Sequence, residues 1–327
     1  MPKNINAGGK RVVAIGGGTG LANLLRVLKK LTDNLTAVVA MTDNGGSSGK
    51  LREEFGMLPP GDVRSCILAL SHSELEMGRL LAYRFPEEGT LSGHTVGNIL
   101  LAAIMQVEGV DFAEAAARLS ALLAVTGRVL PATTDDVTLG AVLEDGEVIC
   151  GETEIAADRR AIKRLFLRPA DCRPQAEVLQ AITEADYIFI GPGSIYSSLI
   201  SNLLLPGVAD ALAKSPAKIC YLANMATEPA ELIQAEMSMY WHLLEEYFAN
   251  AGCTGRLVDV IIANNGAYSA EALAALAQKQ SQPVICDAAE LAFSPVRLIA
   301  ADLVDEVNFW QHNRDKLLPV LKNLLAE

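Results

Sequence analysis

Two segments of this chain share one design, and that design fixes the class of fold. Residues 12–28 read VVAIGGGTGLANLLRVL, and residues 185–204 read ADYIFIGPGSIYSSLISNLL. In each, a β-branched apolar run ends in a glycine turn that opens an amphipathic helix. Unpaired backbone N–H groups at such a turn sit at the positive end of the helix dipole and attract phosphate. Two of these turns imply a ligand with more than one phosphate, or a nucleotide spanning both. Strand and helix alternate again before and after them. That pattern predicts an α/β fold: a doubly wound, mostly parallel sheet with helices on both faces and ligands at the carboxyl ends of its strands.

The 327 residues, half of them apolar, suit one α/β domain over 1–327 with a large core. A net charge of −12 makes nucleic acid and anionic lipid poor partners. The six cysteines are scattered with no C-x-x-C pair, so neither a zinc site nor a disulfide framework is expected. Such thiols fit a reducing cytoplasm. The first eleven residues, MPKNINAGGKR, hold no apolar signal core, and no run approaches a membrane span.

A second strand is expected to end at Asn44, followed by a polar glycine loop, NGGSSGK. Helices are predicted over residues 63–70, 74–83, 96–107, 112–123 and 316–325, and strands over 218–222 and 257–263. Around Asp145-Gly146 the pattern alternates in period two, a hairpin signal. It marks a β-rich insertion at about 127–168, too short to fold alone and expected to pack on the core.

Several residues suggest chemistry. Gly16 to Gly20 form the first turn, and Gly18 is where backbone would approach a phosphate, so valine there should weaken binding more than about tenfold. Asp43 lies near the place where a dinucleotide fold puts its ribose-binding acid. The stretch from Gly45 to Lys50 fails the P-loop spacing, yet its N–H groups and the Ser47 and Ser48 hydroxyls can form an anion nest. Asp62, in PPGDVR, has the plain role of helix N-cap; with Asp43 it also offers hard oxygen ligands to magnesium. Arg64 suits a phosphate or a nearby carboxylate. Among four histidines, His94 alone lies in a glycine-bracketed polar motif, SGHTVGN, so it and Asp62 are the catalytic candidates; the alternative for His94 is capping. In the second turn Gly191, Gly193 and Ser194 face a phosphate, Tyr196 either contacts a sugar or base or packs, and Asn224 ends another strand. Asp135 and Asp136 read as solvated.

In order, IGGGTGL, TDNGGSSGKLR, PPGDVR, YRF, SGHTVGN, GRVLPAT, DGEVICGE and IGPGSIYSS resemble the gluconeogenesis factor family of bacteria, related in fold to the 2-phospho-L-lactate transferases. The resemblance covers residues 12–265 and weakens beyond. It implies a modified Rossmann-type core and a cytoplasmic protein that binds UDP-sugars, notably UDP-N-acetylglucosamine, and regulates cell shape and cell-wall precursor supply on gluconeogenic carbon. It also implies a regulatory protein partner; a homo-oligomer is expected. The ligand-binding residues it carries over are Gly17, Gly18, Thr19, Asp43, Asn44, Ser47, His94, Asn98, Gly193 and Ser194. Many members have a second Asp at Asn44, so magnesium should matter less here and binding should outlast a chelator. Members often read Arg-His-Asp where this chain has Gln311-His312-Asn313, with Arg314 a candidate substitute. The competing readings are a regulator that does not turn its ligand over, a magnesium-dependent phosphoryl or phospholactyl transferase, and, weakest, a nicotinamide dehydrogenase.

Overall fold

Seven strands form one sheet in which every pairing is parallel, in the order β10-β9-β8-β7-β1-β2-β3. The computed structural model describes residues 9–72, 74–86, 88–229, 231, 235–291 and 294–327; the polar N-terminal stretch therefore lies outside the described residues up to residue 8. The strands are β1 Val12–Gly16, β2 Leu35–Val39, β3 Arg128–Pro131, β7 Tyr187–Ile190, β8 Lys218–Leu222, β9 Val260–Asn264 and β10 Arg297–Ala301. Every residue of β1, β2, β7 and β9 is buried, which is why these segments read as continuous apolar runs rather than alternating ones. The edge strand β10 is half-exposed and escaped the sequence reading for that reason.

The connections are α1 Gly18–Leu28, α2 Gly46–Phe55, α3 Pro60–Leu70, α4 Glu74–Leu81, α5 Val96–Glu108, α6 Phe112–Leu122, α7 Glu152–Ala157, α8 Ala176–Glu184, α9 Ser201–Leu203, α10 Val208–Lys214, α11 Met237–Asn250, α12 Ala270–Gln278 and α13 Arg314–Leu325. A π-helix over Ile195–Ile200 runs into α9. Helix α1 packs on α3 and α13, while α8 packs on α10. Among the described residues no single helix is long and apolar enough to cross a membrane.

The strands β4 Thr138–Leu143, β5 Val148–Cys150 and β6 Ile162–Arg168 form a separate antiparallel sheet, with the expected hairpin closing at Gly146. Its buried Leu139, Ala141 and Leu165 join the same apolar cluster as the main sheet. The β-rich segment starts later than expected, because Arg128–Pro131 pairs with β2 as an edge of the main sheet. The expected loop at residues 45–50 is also corrected: it opens α2, where Gly45 N–H donates to Asp43 Oδ1 at 2.8 Å and Leu51 is buried. Tertiary anchoring overrides the poor helix propensity of a Gly-Ser-Ser-Gly run. All six cysteines are free thiols.

From β1 the sheet grows one way through β2 and β3 and the other way through β7 to β10. The strand order therefore reverses between β1 and β7, the two strands that carry the glycine turns. A crevice opens at such a switch point, beyond the carboxyl ends of the strands.

Candidate functional site

A cleft of about 550 Å³ occupies that crevice. The two turns that floor it touch: a Cβ on Gly20 would stand 2.7 Å from the Pro192 carbonyl oxygen, and one on Gly193 would stand 3.4 Å from the Gly17 carbonyl oxygen. Only glycine at position 20 lets the backbones come so close. Gly17, Gly18, Thr19, Asp43, Asp62, Gly193, Ser194 and Asn224 all line the cleft, so eight of the candidates come together there.

The helix starts are not bare anion nests, however. Gly18 N–H donates to Asp62 Oδ2 at 2.6 Å, and Ile195 N–H donates to Glu231 Oε1 at 2.6 Å. A protein carboxylate already answers each helix dipole. Gly193 N–H is taken by Asn224 Oδ1 at 3.1 Å, and Asn224 Nδ2 returns a bond to the Gly193 carbonyl oxygen at 2.9 Å. The N–H groups of Thr19 and Gly20 find no backbone or side-chain acceptor among the described residues and point from the first turn of α1. Asp62 does not act as N-cap: Pro59 occupies that position in α3, and the Asp62 side chain crosses to α1 instead.

The walls are acidic. Asp43, Asp62, Glu152 and Glu228 line the cleft against Lys279 as its lysine or arginine among the described residues. Burial and the Asp43 charge push the Asp62 carboxyl up to about 6, against the opposing pull of Gly18 N–H and Arg64. Burial pushes Glu152 up to about 7; a Ser197 hydroxyl bond opposes this, and Asp43, Asp62 and Glu228 add to it. Burial also raises Glu228. His312 is fully buried, held down to about 4, with Nε2 3.0 Å from the Ala223 carbonyl oxygen, so it is a neutral strut. Among the described residues no group of three or more His, Cys, Asp or Glu is arranged to hold a metal. Asp43 and Asp62 are nonetheless hard oxygen donors close enough to repel each other, and they would hold a divalent cation, which would relieve that repulsion, only where a ligand's oxygens and water completed its shell.

The profile of the 2-phospho-L-lactate transferase CofD family matches residues 12–304. A Bacillus subtilis protein named gluconeogenesis factor is 38% identical over 318 residues, covering 97% of this chain and 98% of its own. A Halalkalibacterium halodurans protein of the same name is 39% identical over 309 residues, covering 94% of each. The chain belongs to the gluconeogenesis factor family, within the CofD family. A crystal structure of a Bacillus halodurans protein superposes with a TM-score of 0.90 at 38% identity, covering 98% of this chain and 100% of the other.

The remaining candidates, those carried over from the gluconeogenesis factor family and those read from the residues alone, lie elsewhere. Ser47 Oγ is 3.0 Å from His94 Nδ1 and accepts from Asn98 Nδ2 at 2.9 Å. These buried groups tie α2 to α5 and do not line the cleft. Arg64 donates to Thr95 Oγ1 at the start of α5. Ser48 is buried within α2, and Gly191 N–H extends the β1–β7 ladder by donating to the Ile15 carbonyl oxygen at 3.0 Å. Asn44 faces the insertion: its Nδ2 donates to Glu154 Oε2 at 2.9 Å, and its Oδ1 accepts from Thr153 N–H at 3.0 Å. The Asp-to-Asn departure therefore takes no ligand from the cleft. Tyr196 packs, its hydroxyl donating to the Glu231 carbonyl oxygen at 2.8 Å. Asp136 is exposed, as expected, and pairs with Arg52 at 2.5 Å, while the half-buried Asp135 accepts from Arg173 N–H at 2.6 Å. Arg314 donates to Asn23 Oδ1 at 2.6 Å and is outside the cleft lining. Lys279 supplies the cation there, and sequence reasoning missed it along with Glu152, Glu228 and Trp310.

Proposed function

We propose that the cleft binds a nucleotide-sugar, UDP-N-acetylglucosamine, across both glycine turns and releases it unchanged. The observation that carries this reading is the meeting of the two turns at the sheet's switch point, over a cleft sized for one nucleotide ligand. The Thr19 and Gly20 N–H groups face the diphosphate. Asp43 and Asp62 hold magnesium, which neutralises the diphosphate charge against the acidic walls. This gives the metal a larger part than the Asn44 departure implied, since Asn44 faces away and Glu152 and Glu228 add negative charge.

In this reading the protein is a cytoplasmic, homo-oligomeric regulator that works through a protein partner. The bound sugar nucleotide reports cell-wall precursor supply and cell shape during growth on gluconeogenic carbon. The CofD match and an Asp62 carboxyl poised near neutrality favour a second reading, a magnesium-dependent phosphoryl or phospholactyl transferase. His94, engaged with Ser47 away from the cleft, is not the base in either.

Calorimetric titration with UDP-N-acetylglucosamine, followed by chromatography of the mixture, separates the two. The expected result is saturable binding with magnesium, at least tenfold weaker in excess chelator, about 1.4 kcal/mol, with the ligand recovered intact. Products formed at catalytic rates and dependent on Asp62 would put the transferase first.

A further inference from the structure

Besides the glycine turns, Asp43 and Asp62, the cleft is lined by Lys279, at the C-terminal cap of α12, and Trp310, in the segment before α13. The Lys279 Nζ lies 4.3 Å from the Trp310 ring centroid.

Three features set this indole apart. It is half-buried yet does not pack against the hydrophobic core, unlike Trp241, which is buried in α11 and donates to Glu245 Oε1 at 3.0 Å. Its backbone is held firmly: Val304 and His312 form an antiparallel bridge, Asn23 Nδ2 donates to the His312 carbonyl oxygen at 2.8 Å, and Asn313 caps α13. Its partner is a cation that no described carboxylate engages by an ion pair. An aromatic platform fixed by its neighbours loses little freedom when a flat group stacks on it.

We propose that Trp310 is the stacking platform for the nucleobase of the cleft ligand and that Lys279 is its exchangeable cover. Without ligand the ammonium rests on the indole face. On binding, the base takes that face and the ammonium turns to the ligand's phosphates. Stacking of a base on an aromatic ring exceeds an exposed cation–π contact, so the exchange is favourable. This inference rests on the nucleotide-sugar reading and adds which residue of the cleft takes the base.

The chain has two tryptophans, so a Trp241→Phe protein leaves Trp310 as its sole indole. That protein, checked for native circular dichroism, is titrated with UDP, UMP, N-acetylglucosamine 1-phosphate and pyrophosphate, all with magnesium. UDP and UMP are expected to quench Trp310 emission saturably, and the two compounds without a base are not. In the otherwise native chain, Trp310→Ala weakens UDP at least tenfold and pyrophosphate less than threefold, while Trp310→Phe restores most of the UDP affinity. Lys279→Met weakens both UDP and pyrophosphate. Unchanged UDP affinity in Trp310→Ala, or equal quenching by pyrophosphate, overturns this proposal alone. Failure of the native chain to bind any uracil compound overturns the nucleotide reading and this proposal with it.

Discussion

Replacing Gly17 by valine is expected to lower the affinity for UDP-N-acetylglucosamine at least 100-fold, about 2.7 kcal/mol, in a protein that still folds. Gly17 has an extended backbone, φ −164°, which valine adopts without strain. The obstacle is space. A Cβ there would stand 2.7 Å from Asp62 Oδ2 and 2.9 Å from Ser198 Oγ. Asp62 must then leave Gly18 N–H, which loses its 2.6 Å acceptor, and the cation site loses one of its two carboxylates. Gly18, where close approach was expected from the sequence, behaves differently. Its Cβ would meet nothing within 4 Å, but its φ is +63°, so a side chain there costs about 1–2 kcal/mol of backbone strain. Calorimetry with a thermal melt checks the prediction, and undiminished affinity in folded Gly17→Val would contradict it.

Asp62→Asn is expected to stabilise the ligand-free protein at pH 8 while weakening magnesium-dependent binding at least tenfold. The carboxyl stands at about 6 in the folded protein and near 4 in the unfolded chain. A raised acid binds its proton more tightly in the folded state, so stability is greatest below the unfolded value and falls as pH rises through about 6. Two pH units correspond to about 3 kcal/mol, which cleft water reduces to about 2 kcal/mol. The asparagine cannot ionise, so the variant should melt roughly 4 °C higher than the parent at pH 8 and level with it at pH 4. Glu152, raised to about 7, adds a fall of the same sign at slightly higher pH. Melting curves of both proteins across pH 4–8 test this; a variant less stable than the parent at pH 8 would refute the electrostatic account. A substitution that adds stability and removes binding is what a site built for a ligand, rather than for packing, produces.

The frame of the fold was legible because its signals are local. β1 and β7 announce themselves as apolar runs that end in glycine, and the hairpin by its alternation around Asp145-Gly146. Asp43 and Asp62 could be singled out as acids beside those turns. Their relation could not: that Asp62 reaches to Gly18 rather than capping its own helix depends on how α3 lies against α1. Glu152, Glu228, Lys279 and Trp310 enter the cleft from four separate connections, and no spacing in the sequence relates them. Ser47, His94 and Asn98 stand apart from the cleft for the opposite reason. Polar residues between glycines look ligand-facing, yet these bond to one another through Ser47 Oγ, outside the cleft lining, and join two helices.

The most direct test is a crystal structure of the full chain grown with UDP-N-acetylglucosamine and manganese, with diffraction collected at a wavelength where manganese scatters anomalously. An anomalous peak is expected at Asp43 and Asp62, with intact ligand whose diphosphate lies against Thr19 and Gly20. Ligand density outside the cleft, or a diphosphate in the cleft with no anomalous peak beside those carboxylates, would contradict this reading.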